Sequence, residues 1–174
     1  LDTKVRTAAA PVLGTSNPGT ASAAVGGVGR NIAENLARLG RPTVLVAAVG
    51  DDPAGDTVIQ RTSAAGVECR HVVHSPHSTG TYTAVLDDGG DLHIAVADMR
   101  ATDELGVADL ADVPTLLAGA DALVVDANLD ATVIRWLLSA AQDAGVRSVV
   151  EPVSVAKATA AAPVFDGSVR VHTV

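Results

Sequence analysis

Apolar positions recur along this chain with two different periods. From Asn31 to Leu39, Ile32, Leu36 and Leu39 fall at i, i+4 and i+7 with Ala33 and Ala37 between them. Gly40 stands just past the end, so the spacing predicts an amphipathic helix. Thr43 to Val49 is a short, Val-rich, nearly continuous apolar run bounded by Gly50-Asp51-Asp52-Pro53, the pattern of a strand buried on both faces. A second helix is predicted over Ala54 to Ala65, closed by Gly66. Val67 to Val73 reads as β-type. The runs Thr79 to Leu86 and Asp91 to Ala97, joined by Asp87-Asp88-Gly89-Gly90, predict a hairpin. A helix is then expected over Asp109 to Ala118, a strand over Ala122 to Asp126 and a helix over about Asp130 to Ala144. A strand over Ser148 to Glu151, a helical Ser154 to Ala161 and a last strand from Val169 complete the pattern.

Helices alternating with short apolar strands point to βαβ units, and hence to a mainly parallel sheet with helices on both faces. The hairpin does not belong inside such a sheet. Neither does the Ala-, Thr-, Ser-, Gly- and Pro-rich stretch 5–25, with its turn-like Ser16-Asn17-Pro18-Gly19. That stretch fits either an irregular loop or two short strands round a turn. Both segments are expected to form a small antiparallel appendage. In an open α/β sheet ligands sit beyond the carboxyl ends of the strands, so residues just after strands carry most weight.

Composition narrows the function classes. Apolar residues make up 48% of the chain and charged residues only 18%, against roughly a quarter in typical soluble domains. Such a chain has enough apolar surface to offset the entropy of ordering. Its longest apolar runs, such as Val44 to Val49, fall far short of the roughly 18–20 residues of a spanning helix. No membrane role is expected. Twelve Lys and Arg against 20 Asp and Glu leave a formal charge of −8, which disfavours a nucleic-acid partner. Tyr82, Trp136 and Phe165 are too few to stack single-stranded bases. The single Cys69 permits no internal disulfide, and no secretory signal is visible, so the protein is expected in the cytoplasm. The chain starts at Leu1 and stops at Val174 inside an apolar alternation. Both ends read as cut within a longer protein.

Four segments could carry chemistry. Gly26-Gly27-Val28-Gly29-Arg30-Asn31 opens the first helix, where glycines let a ligand approach backbone N–H groups at the positive end of the helix dipole. It is neither a P-loop, which needs a following Lys, nor a dinucleotide fingerprint, whose third Gly position holds Ile32. The alternative is that these glycines only permit close packing. Asp2 in Asp2-Thr3-Lys4 could hold vicinal hydroxyls with its two acceptor oxygens, or be a solvated terminal charge. Asp126-Ala127-Asn128 follows a strand, at the expected ligand edge. Helix capping by Asn128 or Asp130 competes with function there. Glu151-Pro152 follows the next strand, and Glu151 could bind a metal ion or its waters. His71, His74 and His77 lack acidic or thiol companions at metal-ligand spacing. The acids Asp51, Asp52 and Asp56 are explained by helix capping as well as by ligand binding.

Read together, Gly26-Gly27-Val28-Gly29-Arg30-Asn31-Ile32-Ala33, Val49-Gly50-Asp51-Asp52-Pro53-Ala54-Gly55, Ala65-Gly66-Val67 and Thr79-Gly80-Thr81 resemble the PfkB carbohydrate-kinase (ribokinase-like) family. Asp2-Thr3-Lys4, Thr15-Ser16-Asn17-Pro18-Gly19, Ala97-Asp98-Met99 and Glu151-Pro152-Val153-Ser154 look most like its pseudouridine-kinase branch. The resemblance implies an α/β fold, a ribokinase-like three-layer sandwich with a mainly parallel sheet and a small β lid, of which this chain is the N-terminal part. Residues 1–174 would then be a partial kinase domain, with lid strands at about 5–25 and 79–97 and core at about 26–66 and 105–174. It also implies transfer of the γ-phosphoryl of ATP, with Mg²⁺, to a primary hydroxyl of a sugar or nucleoside, most like the 5′-hydroxyl of pseudouridine. Ribokinase-, fructokinase- or adenosine-type kinases and a non-catalytic sugar- or nucleoside-binding protein are the alternatives. By position, Asp2 resembles the ribose-holding acid. Gly26 and Gly27 would present backbone and Asn31 an amide to the acceptor, with Lys4, Ser16, Asn17, Asp98 and Asn128 as further contacts and Glu151 at the metal. Asn128 stands where ribose-specific relatives carry an acid, and Val28 where ribokinases often carry Lys. The family's Gly-Ala-Gly-Asp loop does not occur in these residues, so no catalytic residue is expected in this chain and its fragment alone is expected to be inactive. A homodimer through the lid strands is also expected.

Overall fold

A computed structural model describes residues 1–164 and the backbone of 171–173. Strand β1 (Asp2–Thr7) and strand β2 (Gly19–Ala24) pair antiparallel, with Asp2 opposite Ala24 and Thr7 opposite Gly19. Helix α1 (Val28–Arg38) follows, then strand β3 (Val44–Gly50), helix α2 (Pro53–Ala64) and strand β4 (Glu68–Ser75), which lies parallel to β3. The chain then crosses to strand β5 (Thr81–Leu86) and turns back along strand β6 (Leu92–Asp98). A short helix α3 (Arg100–Asp103), a 3₁₀ turn over Val107–Leu110 and helix α4 (Val113–Leu117) lead to strand β7 (Ala122–Asp126). Helix α5 (Ala131–Asp143), strand β8 (Arg147–Glu151), helix α6 (Val155–Ala161) and strand β9 (Val171–Thr173) complete the order. β7, β8 and β9 are parallel neighbours.

Most predicted elements form where the periodicity places them, and two differences have clear causes. The helix expected over Asp109 to Ala118 is broken into a 3₁₀ turn and α4, because Pro114 has no N–H to donate and is tolerated only in a first helical turn. Of the two forms left open for stretch 5–25, the structure takes two strands round a turn, the first of them starting earlier, at Asp2. The appendage is a mixed sheet of order β2-β1-β5-β6 rather than an antiparallel one. β1 runs parallel to β5, Asp2 beside Tyr82, because α1, β3, α2 and β4 intervene and return the chain in the same direction. The start expected for the last strand, Val169, lies outside the described residues.

The main core joins both parallel sheets. Val125, Val133, Ile134, Leu137, Leu138, Ala141 and Val150 form its centre with Leu110, Val113 and Leu117, and Val46, Ala48 and Val73 of β3 and β4 pack against it. A smaller cluster of Ala33, Leu45 and Val67 seats α1 on the opposite face of β3. The end of β3 at Gly50 meets the crossing into the lid at Thr79, and the end of β7 at Asp126 meets the start of α1.

Candidate functional site

The N-terminus of α1 is the meeting point of lid and core. Its cap is Gly27, whose φ of 95° lies in the left-handed region that glycine alone enters without strain. Immediately before it, Gly26 is pressed against the lid. A Cβ on Gly26 would stand 2.3 Å from a carboxylate oxygen of Asp2, so only glycine lets this acid reach the loop. Asp2 sits between Ala24 of β2 and Tyr82 of β5, and the residue before it is tied to β5. The nitrogen of Leu1 donates to the Gly80 carbonyl at 2.6 Å, and Tyr82 N–H donates to the Leu1 carbonyl at 2.9 Å. Lys4 lies two residues further along β1, on the same side of the strand and exposed.

From the core, Asp126 approaches the same helix end. Its Oδ2 accepts the N–H of Gly29 at 2.9 Å and its Oδ1 accepts the N–H of Asn128 at 3.0 Å. One of the first-turn amides expected to face a ligand is therefore already taken by a carboxylate. This is a helix cap supplied from 97 residues away, and it fixes α1 against β7. Asp130 in turn caps α5 by accepting from Thr132 N–H at 2.8 Å, as the competing capping reading expected. Glu151 lies beside Asp126 in the β7–β8 register, and its Oε2 accepts the N–H of Val153 at 2.8 Å, bending the carboxylate back onto its own loop. Val153 carries a φ of 63°.

The predicted residues thus divide in two. Asp2, Gly26, Gly27, Asn31, Asn128 and Glu151 are drawn toward the α1 entrance, with Lys4 on the Asp2 side of the lid. Asp98 ends β6 opposite Thr81, one position from the Tyr82 that neighbours Asp2. Its carboxyl is held down at about 2, chiefly by the side-chain bond from Arg100, whose Nη2 lies 2.6 Å from Oδ2. Ser16 and Asn17 stand at the far end of the β1–β2 hairpin from Asp2. The Asn17 amide is occupied in closing its own loop, accepting from Val12 N–H at 2.8 Å and donating to the Val12 and Thr15 carbonyls.

Two structural residues were not singled out as such by the sequence. Asp52, read only as one of an acidic group, ties α2 to the crossing into the lid. It accepts from Gly55 N–H at 2.8 Å, Thr79 N–H at 2.8 Å and the Thr79 hydroxyl at 2.7 Å. These bonds, from Thr79 first, hold its carboxyl below the usual carboxylate range. The Thr79 hydroxyl also accepts the N–H of Gly50 at 2.9 Å, and a Cβ on Gly50 would meet Thr79 N at 2.5 Å. The Val-Gly-Asp-Asp and Thr-Gly-Thr segments are thus two halves of one knot. Arg30 is the other. The spacing of Arg30 from Gly26 was the available signal, a four-residue step that places a long donor side chain over the loop.

An α/β core with a β lid hinged on it, a carboxylate from the lid meeting a glycine-opened helix, is the ribokinase-like architecture. Comparison with known proteins agrees: residues 2–165 match the pfkB family of carbohydrate kinases, and the chain belongs to that family. It is 35% identical over 159 residues to the pseudouridine kinase of Escherichia coli K12, covering 91% of this chain and 49% of that protein. A carbohydrate kinase from Agrobacterium tumefaciens superposes with a TM-score of 0.81 at 31% identity, over 95% of this chain and 55% of that one. The fold also matches Arabidopsis thaliana ribokinase complexed with ribose and ATP, with a TM-score of 0.75 at 20% identity, over 86% and 49% of the two chains. The chain therefore spans about half the length of the relatives it matches. No helix among the described residues is long and apolar enough to cross a membrane.

Proposed function

We propose that this chain forms the acceptor-binding half of an ATP-dependent sugar or nucleoside kinase, and that its acceptor is pseudouridine, phosphorylated on the 5′-hydroxyl. The observation that carries this reading is the apposition of Asp2 and Gly26. A lid carboxylate against a glycine loop offers two acceptors to vicinal hydroxyls while the backbone admits the ring at close range. Asn31, exposed on the first turn of α1, supplies a side-chain amide on the same side, with Asn128 beyond β7. Lys4 shares the Asp2 face of the lid, Asp98 at the end of β6 borders the site from the other face, and Ser16 and Asn17 join the acceptor only by movement of the β1–β2 hairpin tip. Identity to a pseudouridine kinase favours that nucleoside over ribose.

The chemistry this half can perform is positioning. Phosphoryl transfer is dominated by alignment of the acceptor hydroxyl and neutralisation of charge. The lid, anchored through β1 and β5, excludes water from an acceptor held at the α1 entrance. ATP would supply the phosphoryl group and Mg²⁺ the charge neutralisation. The residues present do not complete a metal site: among the described residues no three His, Cys, Asp or Glu side chains converge, and Glu151 turns onto its own loop. No step is assigned to Glu151 on that account.

Titration calorimetry of the full-length protein with pseudouridine, uridine and ribose, paired with ATP consumption for each, tests the reading. Saturable binding and turnover with pseudouridine in preference to ribose is expected. Turnover with another sugar or nucleoside alone would identify a sister kinase, and binding without turnover a non-catalytic binding protein. Neither binding nor turnover with any would end the kinase reading. A cytoplasmic location and a homodimer through the lid complete the proposal.

A further inference from the structure

We propose that Arg30 is a positioning residue for the acceptor site, holding the Gly26–Gly27 loop in shape and fixing which face of the Asn31 amide meets the acceptor. Arg30 is only 9% exposed although it carries a guanidinium, so its charge and donors must be satisfied within the protein. They are satisfied by two carbonyls of the loop and two side chains of α1. Nε donates to the Gly26 carbonyl at 2.8 Å and Nη2 to the Val25 carbonyl at 3.3 Å. Nη1 donates to Glu34 Oε2 at 2.6 Å, and Nη2 also donates to Asn31 Oδ1. Glu34 takes a second ion pair from Arg38, which leaves the acid anchored one turn further along α1.

This arrangement has a chemical consequence. Arginine has no acceptor, so the Asn31 atom it meets must be the carbonyl oxygen. The Asn31 NH₂ group is thereby turned outward, and the side chain offers donors, not an acceptor, to whatever occupies the site. The acceptor atom facing Asn31 must be a hydrogen-bond acceptor, such as a hydroxyl or carbonyl oxygen. The same fork pins two consecutive carbonyls, of Val25 and Gly26, which a single ammonium cannot do in this planar geometry. The inference rests on the acceptor-site reading of Gly26 and Asn31 and adds to it the residue that orients both.

The test uses the full-length protein with Arg30→Met, Arg30→Lys, Asn31→Ala and the Arg30→Met/Asn31→Ala double variant. Arg30→Met and Arg30→Lys are each expected to raise KM for pseudouridine about tenfold, the scale of one charge-assisted bond, with KM for ATP changed less than about twofold. The double variant should be no worse than the poorer single variant, since Arg30 acts partly through Asn31. Additive losses, equal losses in both KM values, or wild-type kinetics for Arg30→Lys would overturn the proposal. A ligand-free measurement separates this from the function itself. Amide hydrogen exchange over 26–31 should quicken at least about tenfold in Arg30→Met while α5 keeps its protection. Unchanged exchange overturns the positioning role even in a protein that binds no nucleoside, whereas absence of acceptor binding by the unaltered protein counts against the function alone.

Discussion

At the residue scale, the tightest constraint on the site is steric. Because a Cβ at Gly26 would overlap the Asp2 carboxylate, Gly26→Ala must turn that carboxylate away from the loop. Pseudouridine affinity of the full-length protein is expected to fall more than about tenfold by calorimetry, a loss of the order of one hydrogen-bonding group. Asp52 carries a different kind of constraint. Its carboxylate satisfies two backbone N–H groups and one hydroxyl that would otherwise be buried at the crossing between core and lid. Asp52→Ala should cost about 1–2 kcal/mol in urea unfolding, the range of a lost cap and its orphaned partners. Folding lowers this carboxyl's proton affinity, chiefly through Thr79. Its contribution is therefore complete above the unfolded value, ~3.9, and fades as the pH drops through the lower folded value. Between about pH 5 and pH 2 the stability gap between the wild type and Asp52→Ala should narrow, and a gap that widens on acidification would contradict the assignment.

At the element scale, α1 decides how lid and core meet, yet it has no acidic residue in its first turn and no side-chain cap of its own. Asp126 provides the cap from the end of β7. Asp126→Ala should destabilise the protein by about 1–2 kcal/mol and raise amide exchange at Gly29 before that of α5. Loss of protection spread evenly over all helices would instead assign Asp126 to the general core. Helices α1, α2 and α5 were legible because an apolar stripe, a Gly or Asp boundary and the 3.6-residue period coincide within one stretch of chain. Strand β1 was legible only as one of two readings and with a later start, since Asp2-Thr3-Lys4-Val5-Arg6-Thr7 alternates with little apolar content and draws its pairing from β2 on one side and β5, some 80 residues on, at the other. The four-residue α3 was unmarked, too short to show a period.

At the scale of the molecule, the lid sheet has two faces of unlike character. Asp2, Lys4 and Tyr82 share one face by register, while Val5, Val85, Ile94 and Val96 share the other. Ile94 and Val96, on the edge strand β6, are 55% and 64% exposed. A second copy of the chain would cover this apolar face and both sheet edges, which natural sheets otherwise blunt with charge. Ile94→Asp combined with Val96→Asp should halve the mass of the full-length protein in analytical ultracentrifugation. An unchanged dimer, or a monomeric wild type, would remove the lid from any role in assembly.

Local pattern alone determined the parallel α/β core, the lid hairpin and the glycine-opened helix, because helix and strand periods, turn residues and left-handed glycines act over a few neighbouring positions. Tertiary structure alone decided that Asp126 spends its carboxylate on α1, that Asp52 knots the lid crossing, that Glu151 folds onto its own loop and that Arg30 orients the Asn31 amide. Each of these is a choice among partners for a polar group. A sequence states which groups can donate or accept, but which of them meet depends on where the packed apolar core sets the strands and helices that carry them.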